Sequence, residues 1–163
     1  MEPKKLVAMD EPDMVYANFD RSQLTGVFDR IERELPNAVG VNNHMGSRAM
    51  ADSSFVLNLA QELKSRNLDF VDSRTGKEFF SVGIMKDAGV SAVGRDVFLD
   101  FDVDTQKIEA QLSRLIRIAR KRGWAIGIGH VRQETLEVLQ RHLPKYESEG
   151  VSFVFAKDLI YEH

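Results

Sequence analysis

Short apolar runs alternate with amphipathic helical patterns along almost the whole chain, and this alternation restricts the available folds more than any other feature. The runs Ala38–Val41, Leu68–Val71, Val97–Leu99, Trp124–Ile128 and Val151–Phe155 are short, apolar and partly β-branched, as buried parallel strands are. Between them lie helical patterns. Leu24, Val27, Phe28, Ile31 and Leu35 share one helical face, and the pattern stops at Pro36-Asn37. Phe55, Val56, Leu59, Ala60 and Leu63 form the next, with Asp52, Ser53 or Ser54 as its cap. A third helix is expected from Glu78 to Ala88. The clearest begins at Thr105, where Ile108, Leu112, Leu115, Ile116 and Ala119 oppose Arg114, Arg117, Arg120 and Lys121, and it ends at Gly123. The last carries Leu136, Leu139 and Leu143 and closes at Pro144. The first twenty residues, with Pro3 and Pro12, read as a loop. Strands separated by helices predict right-handed crossovers and an α/β fold with a parallel sheet, open or curved into a barrel.

Composition sets outer bounds. A length of 163 residues with 43% apolar side chains suits a single domain over residues 1–163. Lys and Arg number 22 against 25 acids without long runs, which disfavours nucleic acid and anionic membranes as partners. With no cysteine, any metal must use His, carboxylate or water. No apolar run approaches the roughly 20 residues that cross a bilayer, and Met1-Glu2-Pro3-Lys4-Lys5 leads into no signal-type stretch.

Loops at the carboxyl ends of parallel strands converge on one rim, and ligands bind there. The residues just past the expected strands are Asn42-Asn43-His44, Asp72-Ser73-Arg74, Asp100 and Gly129-His130. Imidazoles with a carboxylate are the usual ligands of a catalytic zinc ion, which keeps an open position for water. Each residue also has a plainer reading: either histidine as a hydrogen-bonded loop residue, Asp72 as a loop brace, Arg74 as its partner. Asp100-Phe101-Asp102-Val103-Asp104 opens like a calcium loop, but Thr105 stands where the turn glycine belongs and the twelfth position has no glutamate. Asp104 or Thr105 is instead expected to cap the helix. Gly127-Ile128-Gly129 lacks the third glycine of a dinucleotide fingerprint and is expected to allow close packing of its strand.

Four stretches together carry a resemblance: Gly40-Val41-Asn42-Asn43-His44-Met45-Gly46-Ser47-Arg48, Phe70-Val71-Asp72-Ser73-Arg74-Thr75, Arg95-Asp96-Val97-Phe98-Leu99-Asp100 and Ala125-Ile126-Gly127-Ile128-Gly129-His130. In this order they resemble the bacterial divergent polysaccharide deacetylases, a branch of the metal-dependent polysaccharide deacetylases. The resemblance implies a distorted (β/α) barrel akin to glycoside hydrolases, incomplete here, because Met1-Glu2-Pro3 looks like the tail of an early strand segment. Family members carry a first strand ending in paired aspartates before that point. A barrel without its first strands would expose edges and favour self-association.

The chemistry so implied is hydrolysis of N-acetyl groups on amino-sugar glycans, with a divalent metal, zinc being expected, polarising the carbonyl and activating water. His44, His130 and Asp72 are the expected metal contacts. His130 is also the expected general acid, with Asp72 as ligand or orienter and Arg74 fixing that carboxylate. Asn43, Gly46, Ser47 and Arg48 would bind the carbohydrate or stabilise an oxyanion. Val131 stands where the family commonly has a proline. The alternatives are a carbohydrate- or envelope-binding domain that keeps the fold without turnover, and a different metallohydrolase using the same rim. An envelope location would depend on a leader upstream.

Overall fold

The computed structural model describes residues 1–4, 14–76 and 80–160. Its contacts divide the chain into two compact units, Met1–Gly94 and Arg95–His163.

The first unit is built on a three-stranded parallel sheet, β1 (Gly40–Asn42), β2 (Asp69–Asp72) and β3 (Ala92–Gly94), in that order. Val41 pairs with Phe70, and Phe70 with Ala92. Helices α1 (Arg21–Glu34), α2 (Ser53–Ser65) and α3 (Ser81–Asp87) accompany the sheet. Asp20 and Gln23 close a capping box on α1, and Asp52 caps α2 by accepting from Ser54 N and Phe55 N. The expected apolar faces become the core: Leu24 and Phe28 from α1 meet Phe55, Val56, Leu59, Ala60 and Leu63 from α2, with Phe70 and Met85.

The second unit contains a pair of very short parallel strands, β4 (Val97–Phe98) and β5 (Gly127–Ile128), with α4 (Thr105–Arg122), α5 (Gln133–Ser148) and α6 (Ala156–Ile160). Asp104 caps α4, and Gly123 ends it at φ 95°, a left-handed conformation natural to glycine. Ile108 and Leu112 pack with Val97, Leu99 and Val138. Gly127 is needed for close approach, because a Cβ there would lie 2.6 Å from Leu115 Cδ2. Asp96 joins three elements: its carboxylate takes both Nη1 and Nη2 of Arg122 and, at 2.8 Å, the amide of Ile126.

The parallel α/β construction expected from the sequence is present in both units. Sheets of three and two strands do not by themselves make a barrel. Four of the five expected strands occur; three are shorter than expected because each residue needs a ladder partner, and β2 keeps its length one residue further along. Val151–Phe155 is not a strand: it pairs with no neighbour among the described residues, and a cavity of about 640 Å³ separates Val151 and Phe153 from Gly127 and Leu115. Residues rich in β-branched and aromatic side chains fit a sheet, but composition cannot supply the partner. Conversely Ala92–Gly94 carries little β propensity and becomes a strand because β2 lies beside it. The third helix starts at Ser81 rather than Glu78; residues 77–79 lie outside the described set. Helix α5 continues through Pro144 to Ser148; the proline takes the donor from the Gln140 carbonyl and crowds it, and both residues are exposed. Among the leading residues, 1–4 and 14–20 contain no helix or strand, as expected, while 5–13 lie outside the described set.

Arg66 holds α1 against α2. Its guanidinium donates to Glu62 and Asp29 at 2.7 Å each, pairs with Glu32 at 2.7 Å and lies over the Phe28 ring. Glu62 is 2% exposed, so losing Arg66 would leave a buried carboxylate without its main counter-charge. Arg66→Met is expected to destabilise the protein by about 3 kcal/mol in chemical denaturation. Glu62→Gln in the same chain should recover part of that loss, and a change under about 0.5 kcal/mol would show the network to be idle.

Candidate functional site

In the first unit the loops after β1 and β2 are laced together by side chains, among them Asn43, which sequence reading had assigned to carbohydrate binding. Asn43 is 1% exposed. Its Oδ1 accepts from Ser73 N at 2.7 Å, and its Nδ2 donates to the Met45 carbonyl at 3.2 Å. Asn42 Nδ2 donates to Val71 O and to Ser73 Oγ, and Thr75 Oγ1 donates to Met45 O at 2.6 Å. Two residues here hold left-handed backbone without being glycine, Met45 at φ 56° and Arg74 at φ 49°. Such conformations persist only where the surroundings impose them, and they gather at functional sites. Asp72 is 2% exposed and accepts from Arg74 N at 2.7 Å and from Ser81 Oγ. Arg74 thus fixes the Asp72 carboxylate through its backbone amide. Its guanidinium lies against Gly94, where a Cβ would come within 2.3 Å of Nε.

His44 is exposed, and its carbonyl accepts from the Met1 nitrogen at 3.1 Å. Ser47 Oγ accepts from Lys4 N at 2.8 Å, and Arg48 pairs with Glu2 at 2.9 Å. Gly46, at φ 87°, packs against Met1. The expected binding loop is thereby anchored by the leading residues, and His44 and Arg48 are both exposed.

In the second unit the ends of β4 and β5 place Asp100 beside His130. Asp100 has no exposed surface. Its Oδ2 accepts from His130 N at 2.7 Å and from Thr135 Oγ1 at 2.8 Å, while Oδ1 meets His130 Nδ1 at 2.9 Å. Arg132 donates to the Asp100 carbonyl at 3.2 Å. Burial by itself would raise the Asp100 pKa, but the His130 amide, the Thr135 hydroxyl and the His130 ring together hold it below the ordinary carboxylate range. Asp100 therefore stays ionised and accepts from Nδ1 of His130, which leaves Nε2 as the ring nitrogen not held by Asp100. The imidazole, 39% exposed, tilts against Phe98 at 5.4 Å between centroids.

Sequence reading placed His130 just past a strand end, as observed, and named Asp72 as a metal ligand or as the orienter of a histidine. Within the second unit that part belongs to Asp100, which had been given a place on the rim and no role. The missed signal was the matched pair of strands, each ending two residues before its functional side chain. Asn43 serves the loop rather than projecting from it, since both of its amide atoms are engaged. Among the described residues no three His, Asp or Glu side chains converge as a metal requires. The described residues do not by themselves complete a metal centre.

Comparison with known proteins gives a consistent pattern. Residues 1–160 match the family described as divergent polysaccharide deacetylase. An uncharacterized protein of Haemophilus influenzae is 34% identical over 148 residues, which cover 89% of this chain and 52% of that protein. The uncharacterized Escherichia coli protein YibQ is 37% identical over 120 residues, 69% of this chain and 38% of its own length. The crystal structure of an uncharacterized protein from Agrobacterium tumefaciens C58 superposes with a TM-score of 0.91 at 26% identity, covering 97% of this chain and 65% of that one. The chain spans about half the length of the Haemophilus relative.

Because the native Asp100 pKa is depressed, its ionisation contributes stability that is fully present above the unfolded value of about 3.9 and is lost as pH falls through the lower native value. Thermal melts should show this loss only in acid below about pH 4, and Asp100→Asn should flatten that part of the profile while lowering stability at neutral pH. An unchanged acid limb in the variant would contradict the assignment.

Proposed function

The chain belongs to the divergent polysaccharide deacetylase family, and on that footing we propose that it carries out part or all of the hydrolytic removal of N-acetyl groups from amino-sugar glycans. The observation that supports this most is the Asp100–His130 pair, a buried carboxylate presenting an imidazole at the ends of two parallel strands.

In this reading Nε2 of His130 takes a proton from water as the water oxygen attacks the acetyl carbonyl carbon. The imidazolium so formed is stabilised by Asp100 and returns the proton to the amide nitrogen. The C–N bond then breaks, leaving acetic acid and the free amine of the sugar. Asp100 acts through His130 and is a positioning residue, as Thr135 is through Asp100. His44 and Asp72 of the first unit are proposed as contacts for a divalent metal, zinc by the chemistry of imidazole and carboxylate. Arg48 and Ser47 are proposed for carbohydrate binding on the exposed loop.

The test is acetate release from N-acetylglucosamine oligomers, run on this chain and on its longer Haemophilus influenzae relative, with added zinc and with chelator. His130→Ala and Asp100→Asn are each expected to cut the rate by about 10²–10⁴-fold, with folding retained by circular dichroism. Zinc content should fall in His44→Ala. Sugar binding without acetate release from either protein would replace the hydrolase by the non-catalytic carbohydrate-binding reading, and release of a different acyl group would point to another hydrolase.

A further inference from the structure

Several cations of the second unit are matched by acids: Asp96 takes Arg122, Glu149 takes Arg120 and Glu109 takes Arg141. Arg117 has no such partner among the described residues, but it lies exposed on α4, where water satisfies it. Arg132 fits neither case. It is half-buried, and among the described residues its guanidinium meets no carboxylate within ion-pair distance. Its one hydrogen bond there runs from Nη1 to the main-chain carbonyl of Asp100 at 3.2 Å. A guanidinium carries five N–H donors in a planar fork, so most of its donating capacity is unused and its charge has no counter-ion.

The residue that places Arg132 also places His130. The Asp100 carboxylate holds the His130 ring at 2.9 Å, the Asp100 carbonyl holds Arg132, and the Arg132 amide donates to the His130 carbonyl at 2.9 Å. Imidazole and guanidinium are thus fixed against one another through a residue with no exposed surface. A cation held in this way stabilises negative charge that develops within its reach, more strongly in a half-buried site than in water. Hydrolysis of an amide generates such charge. As the water oxygen bonds to the acyl carbon and its proton passes to His130, the C=O π pair moves onto the carbonyl oxygen. When nitrogen takes the proton from His130 and the C–N bond breaks, that pair re-forms C=O, and the released acid ionises to a carboxylate. We propose that Arg132 binds this oxyanion, and the carboxylate that succeeds it, through the N–H groups that Asp100 leaves unused. The oxyanion role rests on the hydrolase reading above, while affinity for a carboxylate stands on Arg132 alone.

Acetate and acetamide have nearly the same size and differ in charge, so they are the probes, with binding to this chain followed by calorimetry and by chemical-shift perturbation at His130. Acetate should bind at least about tenfold more tightly than acetamide. Arg132→Gln should remove that preference, Arg132→Lys should recover part of it, and Arg117→Gln should leave it unchanged. Arg132→Gln should also lower kcat for acetate release by about 10²–10³-fold. Because Arg132 braces the Asp100 carbonyl as well, the downfield proton resonance of the Nδ1–H to Asp100 hydrogen bond is the control, and it should persist in Arg132→Gln. Its loss together with the acetate preference would make Arg132 a brace and overturn the proposal. So would equal binding of the two probes, no binding of either, or a preference untouched in Arg132→Gln. Acetate release that is unaffected by Arg132→Gln would keep the hydrolase and overturn the oxyanion role. An acetate preference lost in Arg132→Gln, in a chain that releases no acetate from any sugar, would uphold the anion site while removing the hydrolase reading.

Discussion

A carboxylate with no exposed surface organises the second half of the chain. Asp100 follows β4, and a charge so placed is tolerated only when donors replace the water it has lost. Those donors come from β5's end and from the first turn of α5: the His130 amide and ring, and the Thr135 hydroxyl. The need to satisfy one buried charge therefore joins two strands and a helix at one point. It also orients the imidazole by holding its Nδ1 against Asp100. Stability and reactivity draw here on the same hydrogen bonds, so substitutions at Asp100 should disturb both together.

The first unit uses neutral amides and hydroxyls for a related purpose. Asn43 and Ser73 are buried polar residues whose bonds to each other and to Met45 set the paths of two loops. The cost is local strain, visible in the left-handed backbone at Met45 and Arg74. The return is a pair of loops with little freedom, one exposing His44 and Arg48 and the other burying Asp72. A polar network of this kind specifies one arrangement because any alternative leaves a buried amide unpaired.

Most elements were legible along the chain because they are written locally. The helices over 21–34, 53–65 and 105–122 have an apolar face of helical period together with a capping residue, Asp20, Asp52 or Asp104, and these signals act within a few residues. Strands were legible only where composition and pairing agreed. Ala92–Gly94 and Val151–Phe155 went opposite ways, the first gaining a ladder despite weak propensity and the second lacking one despite strong propensity. The difference is the presence of a neighbour, which no local pattern encodes.

The candidate site divides along the same line. By itself the sequence determined that His44, Asp72, Asp100 and His130 follow short apolar runs, and its motifs identified the family whose chemistry they suit. Which carboxylate serves His130 was decided only by tertiary structure, since Asp100 and His130 lie thirty residues apart and meet because β4 and β5 pair in parallel, Phe98 against Ile128. The same holds for Asn43, whose amide reads as a binding group in the sequence and is consumed by Ser73 and Met45 in the fold. A side chain's chemistry is a property of its residue type, but its partners, and with them its charge state and role, are set by what the packed chain brings within about 3 Å.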